Sequence, residues 1–316
     1  MNEKTPHEVA LASLEKKLHL VRDLTTAVAK GYKTGLYLYG TGGVGKSFTV
    51  LRHLESLDVS HQLYNSRMTA KGLFLTLKNA PDAIHVMEDM ERLTKDPDAQ
   101  GVLRSGLWSQ PGHDRVVTWT TATEGAQRFV FRGGLILISN RPLADLPELR
   151  ALATRIEVHR LEISDVELTA LMRDLAGKGH RVLDKLLIGA EECLRVTEHL
   201  LKECRSAGCP LDLRLQQKAF QTYLQFAADC SVSHWEDLVA ASVREATCHF
   251  RHELNTNSQE AKRANRRNVV REIIASATDA KEQERCYTEK TGASRADFYR
   301  RKHEVESGEF DEDDAH

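Results

Sequence analysis

No stretch of the 316-residue chain approaches the ~18 consecutive apolar residues that a membrane-spanning helix requires. The first residues, Met1-Asn2-Glu3-Lys4, lead into a charged amphipathic segment instead of the apolar core of a secretory signal, so a cytoplasmic location is expected. Cysteine is missing from the first half of the chain. Its six cysteines (Cys193, Cys204, Cys209, Cys230, Cys248, Cys286) include no C-x-x-C pair. Cys204 and Cys209, the closest two, have no partner pair at zinc-finger spacing, and reduced structural thiols are the reading. Charge of neither sign dominates: 44 Lys and Arg stand against 46 Asp and Glu. Total charge therefore points to no partner, although its distribution does. The 28% charged and 41% apolar content is that of a globular protein, long enough for two or three domains.

What the chain does have is Gly40-Thr41-Gly42-Gly43-Val44-Gly45-Lys46-Ser47, a match to G-x-x-x-x-G-K-[ST] at every fixed position. Gly35-Leu36-Tyr37-Leu38-Tyr39 before it reads as a buried strand, and the run from Phe48 to Leu54 after it as a helix. A triphosphate tail needs many backbone N–H donors turned inward, and glycines let the chain wrap that closely. The helix start adds its positive end. Lys46 is then expected to reach the β- and γ-phosphates, the Ser47 hydroxyl to sit on Mg²⁺, and Phe48 to flank the nucleotide. The cofactors expected are ATP and Mg²⁺.

Apolar residues at helical spacing from Val9 to Val28 predict an amphipathic helix over 8–30, ended by Gly31. His61-Gln62-Leu63-Tyr64 reads as a strand, Thr69 to Leu77 as a helix and Asn79-Ala80-Pro81-Asp82 as a turn. Ala83 to Glu91 is a short apolar strand running into acids, which suits Mg²⁺ binding and water activation downstream of a phosphate loop. Glu88 is the candidate for Mg²⁺ and Asp89 for orienting the attacking water; a solvated helix start capped by Asp89 is the plainer alternative. Residues 91–109 read as a helix interrupted near Pro97, and Val116 to Thr120 as a strand. Arg128-Phe129-Val130-Phe131, Arg132-Gly133-Gly134 and Leu135 to Ser139 read as a hairpin feeding a central strand that ends at Asn140. Thr154 to Val158 reads as a last short strand. Strands alternating with helices predict an α/β fold: a P-loop NTPase parallel sheet with helices on both faces.

In order, these pieces resemble the AAA+ family of ATPases over roughly residues 20–228: phosphate loop, acidic strand end, strand ending in a polar residue, arginine, helical lid. The resemblance implies that Asn140 senses the γ-phosphate and that Arg155, in Ala151-Leu152-Ala153-Thr154-Arg155, is an arginine finger reaching a neighbouring subunit's nucleotide, with Arg150 as runner-up. It also implies that Arg214, in the lid helix opening Leu211-Asp212-Leu213, contacts the γ-phosphate. Self-assembly into a hexamer or filament follows from it, with a replicative helicase or recombinase as a further partner.

Residues 164–228 read as helical throughout, and Trp235 to Cys248 as one more helix. From 251 to 303 there are 13 Lys and Arg against 8 Asp and Glu, so basic charge gathers at this end. Helical patterns at Val269–Ala277, Ala280–Lys290 and Ser294–Val305 suggest a helix-turn-helix binding DNA through residues 269–305, with Ser294 as N-cap and Phe298 turned inward. Arg295, Arg300 and Arg301 are the expected contacts to bases or phosphates; a protein-interaction module is the alternative. The expected organisation is an ATPase core at 1–163, a helical lid at 164–248, a basic linker at 249–268, a small all-α domain at 269–305 and an acidic tail at 306–316. The expected function is an ATPase coupled to DNA in replication initiation, helicase loading or transposition. A nucleotide-dependent interaction switch with slow hydrolysis is the second reading, and a small-molecule kinase is disfavoured by the lid and the basic end.

Overall fold

The computed structural model describes residues 5–65, 67–89, 93, 96–110, 112–121, 123, 125–143, 150–182, 185–276 and 279–307, with backbone alone at 150, 151, 182, 251–261, 264, 275, 276 and 307. Arg150's side chain and the acidic residues beyond 307 thus lie outside the described residues.

Helix α1 (Pro6–Ala29) opens on a capping box in which Thr5 and Glu8 satisfy each other's backbone N–H groups. The elements that follow are β1 (Gly35–Tyr39), α2 (Lys46–Ser56), β2 (His61–Tyr64), α3 (Ala70–Asn79) and β3 (Ile84–Glu88). Helix α4 (Pro97–Leu107) starts where Asp96 accepts from the next turn's N–H groups and Pro97 takes a position that needs no donor. Then come β4 (Val116–Thr121), β5 (Gly125–Val130), β6 (Gly134–Ser139), α5 (Arg150–Ala153) and β7 (Glu157–Arg160).

Five strands form a parallel sheet in the order β2-β3-β6-β1-β7. β6 is buried at every residue, as a central parallel strand covered on both faces must be. Tyr37, Met87, Leu135 and Leu137 face one side and join Phe74, Leu77 and Leu103 of α3 and α4 in the main core. Alternation sends Leu36, Leu38, Val86, Ile136 and Ile138 to the other face, where Val28 of α1 lies against Gly134. The P-loop NTPase sheet with helices on both faces is therefore present.

Two local expectations are corrected. β5 pairs antiparallel with β4, not with β6. Phe129 and Trp119 only partly bury against the core, so this pair forms a half-exposed ribbon, whereas the wholly buried β6 has a parallel neighbour on each side. The lid is also not all helix. Between α6 (Asp165–Gly177) and α7 (Ala190–Ala207) lies an antiparallel hairpin, β8 (His180–Val182) with β9 (Lys185–Ile188). Gly177-Lys178-Gly179 stops α6, with Gly179 at φ 72°, and the next residues find β partners instead. Helix α8 (Leu213–Ala227) follows, and the start of α9 (Trp235–Ser276) packs its Trp235 ring against His199 and Tyr223.

The chain divides into two compact units, one of Met1–Ser206 with Leu211–Ala240, the other of Ala207–Pro210 with Ala241–His316. Residues 249–268, read as a basic linker or exposed helix, are helical within α9. In the second unit the end of α9, α10 (Ala280–Thr291) and α11 (Arg295–Ser307) enclose a small core of Val270, Ile273, Tyr287, Ala293 and Phe298. Asp279 caps α10, Gly292 ends it at φ 63°, and the Ser294 hydroxyl accepts from the Asp297 N–H. Arg301 does not present itself to a ligand: it is 6% exposed and pairs with Asp297 and Glu304. Asp297 also accepts from the Tyr287 hydroxyl at 2.7 Å and pairs with Arg266. Burial alone would raise the Asp297 pKa, but the Tyr287 hydroxyl, Arg266 and Arg301 together hold it below its usual value. The inward turn of Phe298, one helical turn from Arg301, carries that arginine toward the core.

Candidate phosphate-binding site

The loop after β1 can close only because of its glycines. A Cβ on Gly40 would stand 2.2 Å from the Leu161 carbonyl oxygen, and one on Gly43, at φ 71°, would stand 2.1 Å from the Asp212 carboxyl carbon. Helix α2 begins at Lys46, so its free N–H groups face the loop, as an anion site requires. The Lys46 ammonium donates to the carbonyls of Gly40 and Thr41, both at 2.8 Å, and to Asn140 Oδ1 at 2.9 Å. Burial pushes its pKa down to about 8; Asp89 and Glu88 pull the other way and Arg214 adds to the depression.

The strand ends supply the rest. Glu88 closes β3 beside Ile138 of β6, and the Asp89 N–H reaches the Ile138 carbonyl. Asp89 sits at φ 49°, a left-handed conformation that Asp tolerates better than most residues. The residues directly after Asp89, on which the capped-helix alternative depends, lie outside the described residues. Glu88 Oε1 is buried without a hydrogen-bond partner, and an unpartnered carboxylate oxygen on the same cleft as Ser47 suits a hard divalent cation. Among the described residues no group of three or more His, Cys, Asp or Glu is placed to hold a metal ion. Asn140 ends β6; the turn after it is held by Ser139 Oγ accepting from the Arg141 N–H and by the Tyr37 hydroxyl donating to the Arg141 carbonyl.

The lid joins from above. Asp212 caps α8 by accepting from the Arg214 N–H, and the Leu213 N–H donates to the Gly43 carbonyl at 3.0 Å, fastening the helix start to the loop. The result is a cleft of about 620 Å³. Its walls include Gly43, Gly45, Lys46, Ser47, Phe48, Glu88, Asp89, Asn140 and Arg214. Gly40 and Thr41 contribute carbonyls to Lys46, Gly42 lies beside Asn140, and the Val44 side chain is turned into the core. Arg155 is not part of this wall; its guanidinium lies over the Trp108 ring, 5.8 Å from the centroid. The sequence reading missed Leu175, Lys178, His180, Arg181 and Phe220, which line the far end of the cleft. The Gly177-Lys178-Gly179 break was the available signal for the hairpin that carries two of them.

The sheet order, the loop and the acidic strand end define the class: a P-loop NTPase fold with a lid over the phosphate loop. No known protein family's profile matches the chain. An uncharacterised 36.7 kDa protein of enterobacteria phage T4, from the nrdC-mobD intergenic region, is 23% identical over 172 residues. That match takes in 48% of this chain and 52% of the phage protein, so the similarity spans about half of each. Among solved structures, a DNA replication initiation factor aligns with 90% of this chain and 81% of its own at 10% identity and a TM-score of 0.40. A point mutant of Thermotoga maritima RuvB aligns with 93% and 87% at 12% identity and a TM-score of 0.44. These scores are too low to carry a functional assignment. Among the described residues no helix is long and apolar enough to cross a membrane.

Proposed function

We propose that this chain is an AAA+ type ATPase that hydrolyses ATP and couples it to DNA. The observation that supports it most is the convergence on one cleft of Lys46, Glu88 with its partnerless Oε1, Asp89, Asn140 and the lid's Arg214. Lys46 would exchange its loop carbonyls for the β- and γ-phosphates, Asn140 would hold the γ-phosphate from the strand side, and Arg214 from the lid. Asp89 would orient a water in line with the γ-phosphate and accept its proton. Mg²⁺, held by Ser47 and Glu88, would neutralise charge building on the β- and γ-oxygens. Arg155, away from its own cleft, would act on the nucleotide of a second copy, which implies a homo-oligomer, ring or filament. The basic charge of 251–303 is the basis for DNA as partner, with α11 as the reading helix of a helix-turn-helix. Replication initiation, helicase loading and transposition are the roles that fit such a pairing, in the cytoplasm.

Steady-state ATP turnover with and without DNA is the test. Lys46→Ala is expected to abolish turnover, and Asp89→Asn to lower kcat by ~10²–10⁴ while nucleotide still binds. Unchanged turnover in Lys46→Ala would sink the assignment. The second reading, a nucleotide-dependent switch, draws on the left-handed Asp89 and on Lys46 being satisfied by its own loop. It gains if wild type turns over slowly, Asp89→Asn leaves that rate alone and DNA does not change it.

A further inference from the structure

Gln216, on α8, has no part in the chemistry above, yet it is 3% exposed and lines the cleft. Its Nε2 donates to the Met172 carbonyl of α6 at 2.7 Å and to the Thr197 hydroxyl oxygen of α7 at 2.9 Å. A carbonyl only accepts, so the amide cannot be turned over, and both of its N–H groups are engaged. That fixes the direction of Oε1. Among the described residues nothing donates to this oxygen, and unlike Glu88 Oε1 it is not sealed from solvent, so it opens onto the cleft. A held amide oxygen on a cleft wall is an acceptor already ordered for a ligand N–H, with little side-chain freedom left to lose on binding.

The surroundings indicate what carries that N–H. Leu213, Gln216, Gln217 and Phe220 follow one face of α8, and all four line the cleft. The Leu213 end is fastened to the phosphate loop through the Gly43 carbonyl. From there the helix rises ~10 Å to Phe220. Phe220 packs on the His180 ring at 5.3 Å between centroids, and Leu175 of α6 adds apolar surface at the same end. A flat aromatic base suits such walls. Adenine presents an exocyclic amino donor on its edge, where guanine and hypoxanthine present an oxygen. We propose that Gln216 reads the 6-amino group of a purine and so makes the cleft select adenine over 6-oxo purine nucleotides. This rests on the reading of the phosphate loop as a nucleoside triphosphate site. Against a 6-oxo purine, two oxygens would meet with no proton between them, and the locked amide could not swing its N–H groups round to compensate.

The test titrates the full chain, in Mg²⁺, with ATP, ITP, purine riboside triphosphate and inorganic triphosphate by isothermal calorimetry. ATP should bind ~10–100-fold more tightly than ITP, which carries an oxygen in place of the amino group. Purine riboside triphosphate, with only hydrogen there, should fall between the two. Gln216→Met keeps the length of the side chain without its polar atoms and should bring ATP and ITP to within about threefold of each other. That variant also strips two buried acceptors of their donor, so its melting is followed alongside, and the wild-type series is decisive whether or not the variant folds. Wild type that binds ITP as tightly as ATP, or a folded Gln216→Met that keeps the full preference, overturns the role of Gln216 and leaves the phosphate site standing. Wild type that binds neither inorganic triphosphate nor any of the nucleotides overturns the phosphate site itself.

Discussion

Lys46 carries its charge in a place that suits a phosphate and not an ammonium. Burial sets its pKa near 8, against the raising effect of Asp89 and Glu88 and with the lowering effect of Arg214. Bound phosphates favour the charged form, so nucleotide affinity should be flat below about pH 8 and weaken above it, by up to ~10-fold per pH unit. Lys46→Arg, whose guanidinium stays charged, should flatten that profile; isothermal titration from pH 7 to 9.5 reads both. Stability runs the opposite way. The folded pKa lies below the ordinary 10.5, so the unfolded chain binds more protons between pH 8 and 10.5, and the nucleotide-free fold gains stability as pH rises through that window. Lys46, Ser47 and Glu88 were legible as candidates because each sits at a fixed spacing from a strand end. The buried, partnerless oxygen of Glu88 was not, since that is a property of packing.

At the scale of elements, the first helix is tied to the lid's first helix by one carboxylate. Glu167, in the opening turn of α6, closes a capping box with Ser164 and accepts from Ser13 at 2.7 Å and Lys17 at 2.7 Å, both on α1. Burial alone would raise its pKa, but these donors outweigh it and hold it at about 2. The unfolded value is the ordinary 4.5, so the stabilisation is complete above that pH and is lost as pH falls toward 2. Glu167→Gln is expected to cost ~1–3 kcal/mol at pH 7 and to flatten the acid limb of stability between about pH 4.5 and 2, read by urea melts across that range. The capping box could be read from Ser164 and Glu167; its partners on α1 could not, because they lie some 150 residues away. The β8–β9 hairpin escaped for a different reason. Strands this short carry too few residues for alternation to show against the helical periodicity on either side.

At the scale of the whole molecule, two units divide the chemistry. The first holds the phosphate loop, the acidic strand end and the lid; the second holds the basic helices. In the second unit, Arg295 and Arg300 are exposed, with Arg295 beside Glu284 and over the Tyr299 ring, while Arg301 is enclosed by acids. If DNA is the partner, Arg295→Ala and Arg300→Ala should each weaken binding and reduce the salt slope by ~1, in fluorescence anisotropy at several salt concentrations. Arg301→Ala should instead destabilise the second unit by removing the buried partner that Asp297 and Glu304 share, a loss of ~1–3 kcal/mol visible as a separate melting transition, with Tyr287 and Arg266 still holding Asp297 and Arg267 still beside Glu304. Equal effects of all three on DNA affinity with no change in melting would contradict this division.

The sequence by itself determined the loop, the order of strands and helices as far as β7, and the acids and asparagine at the strand ends, because each depends on neighbours within a few positions. Tertiary structure alone decided that β5 turns back on β4, that Arg301 is an internal ion-pair partner and that Trp108 lies under Arg155. Burial and charge pairing are set by what a residue meets across the fold, and a linear pattern shows only the face on which it begins.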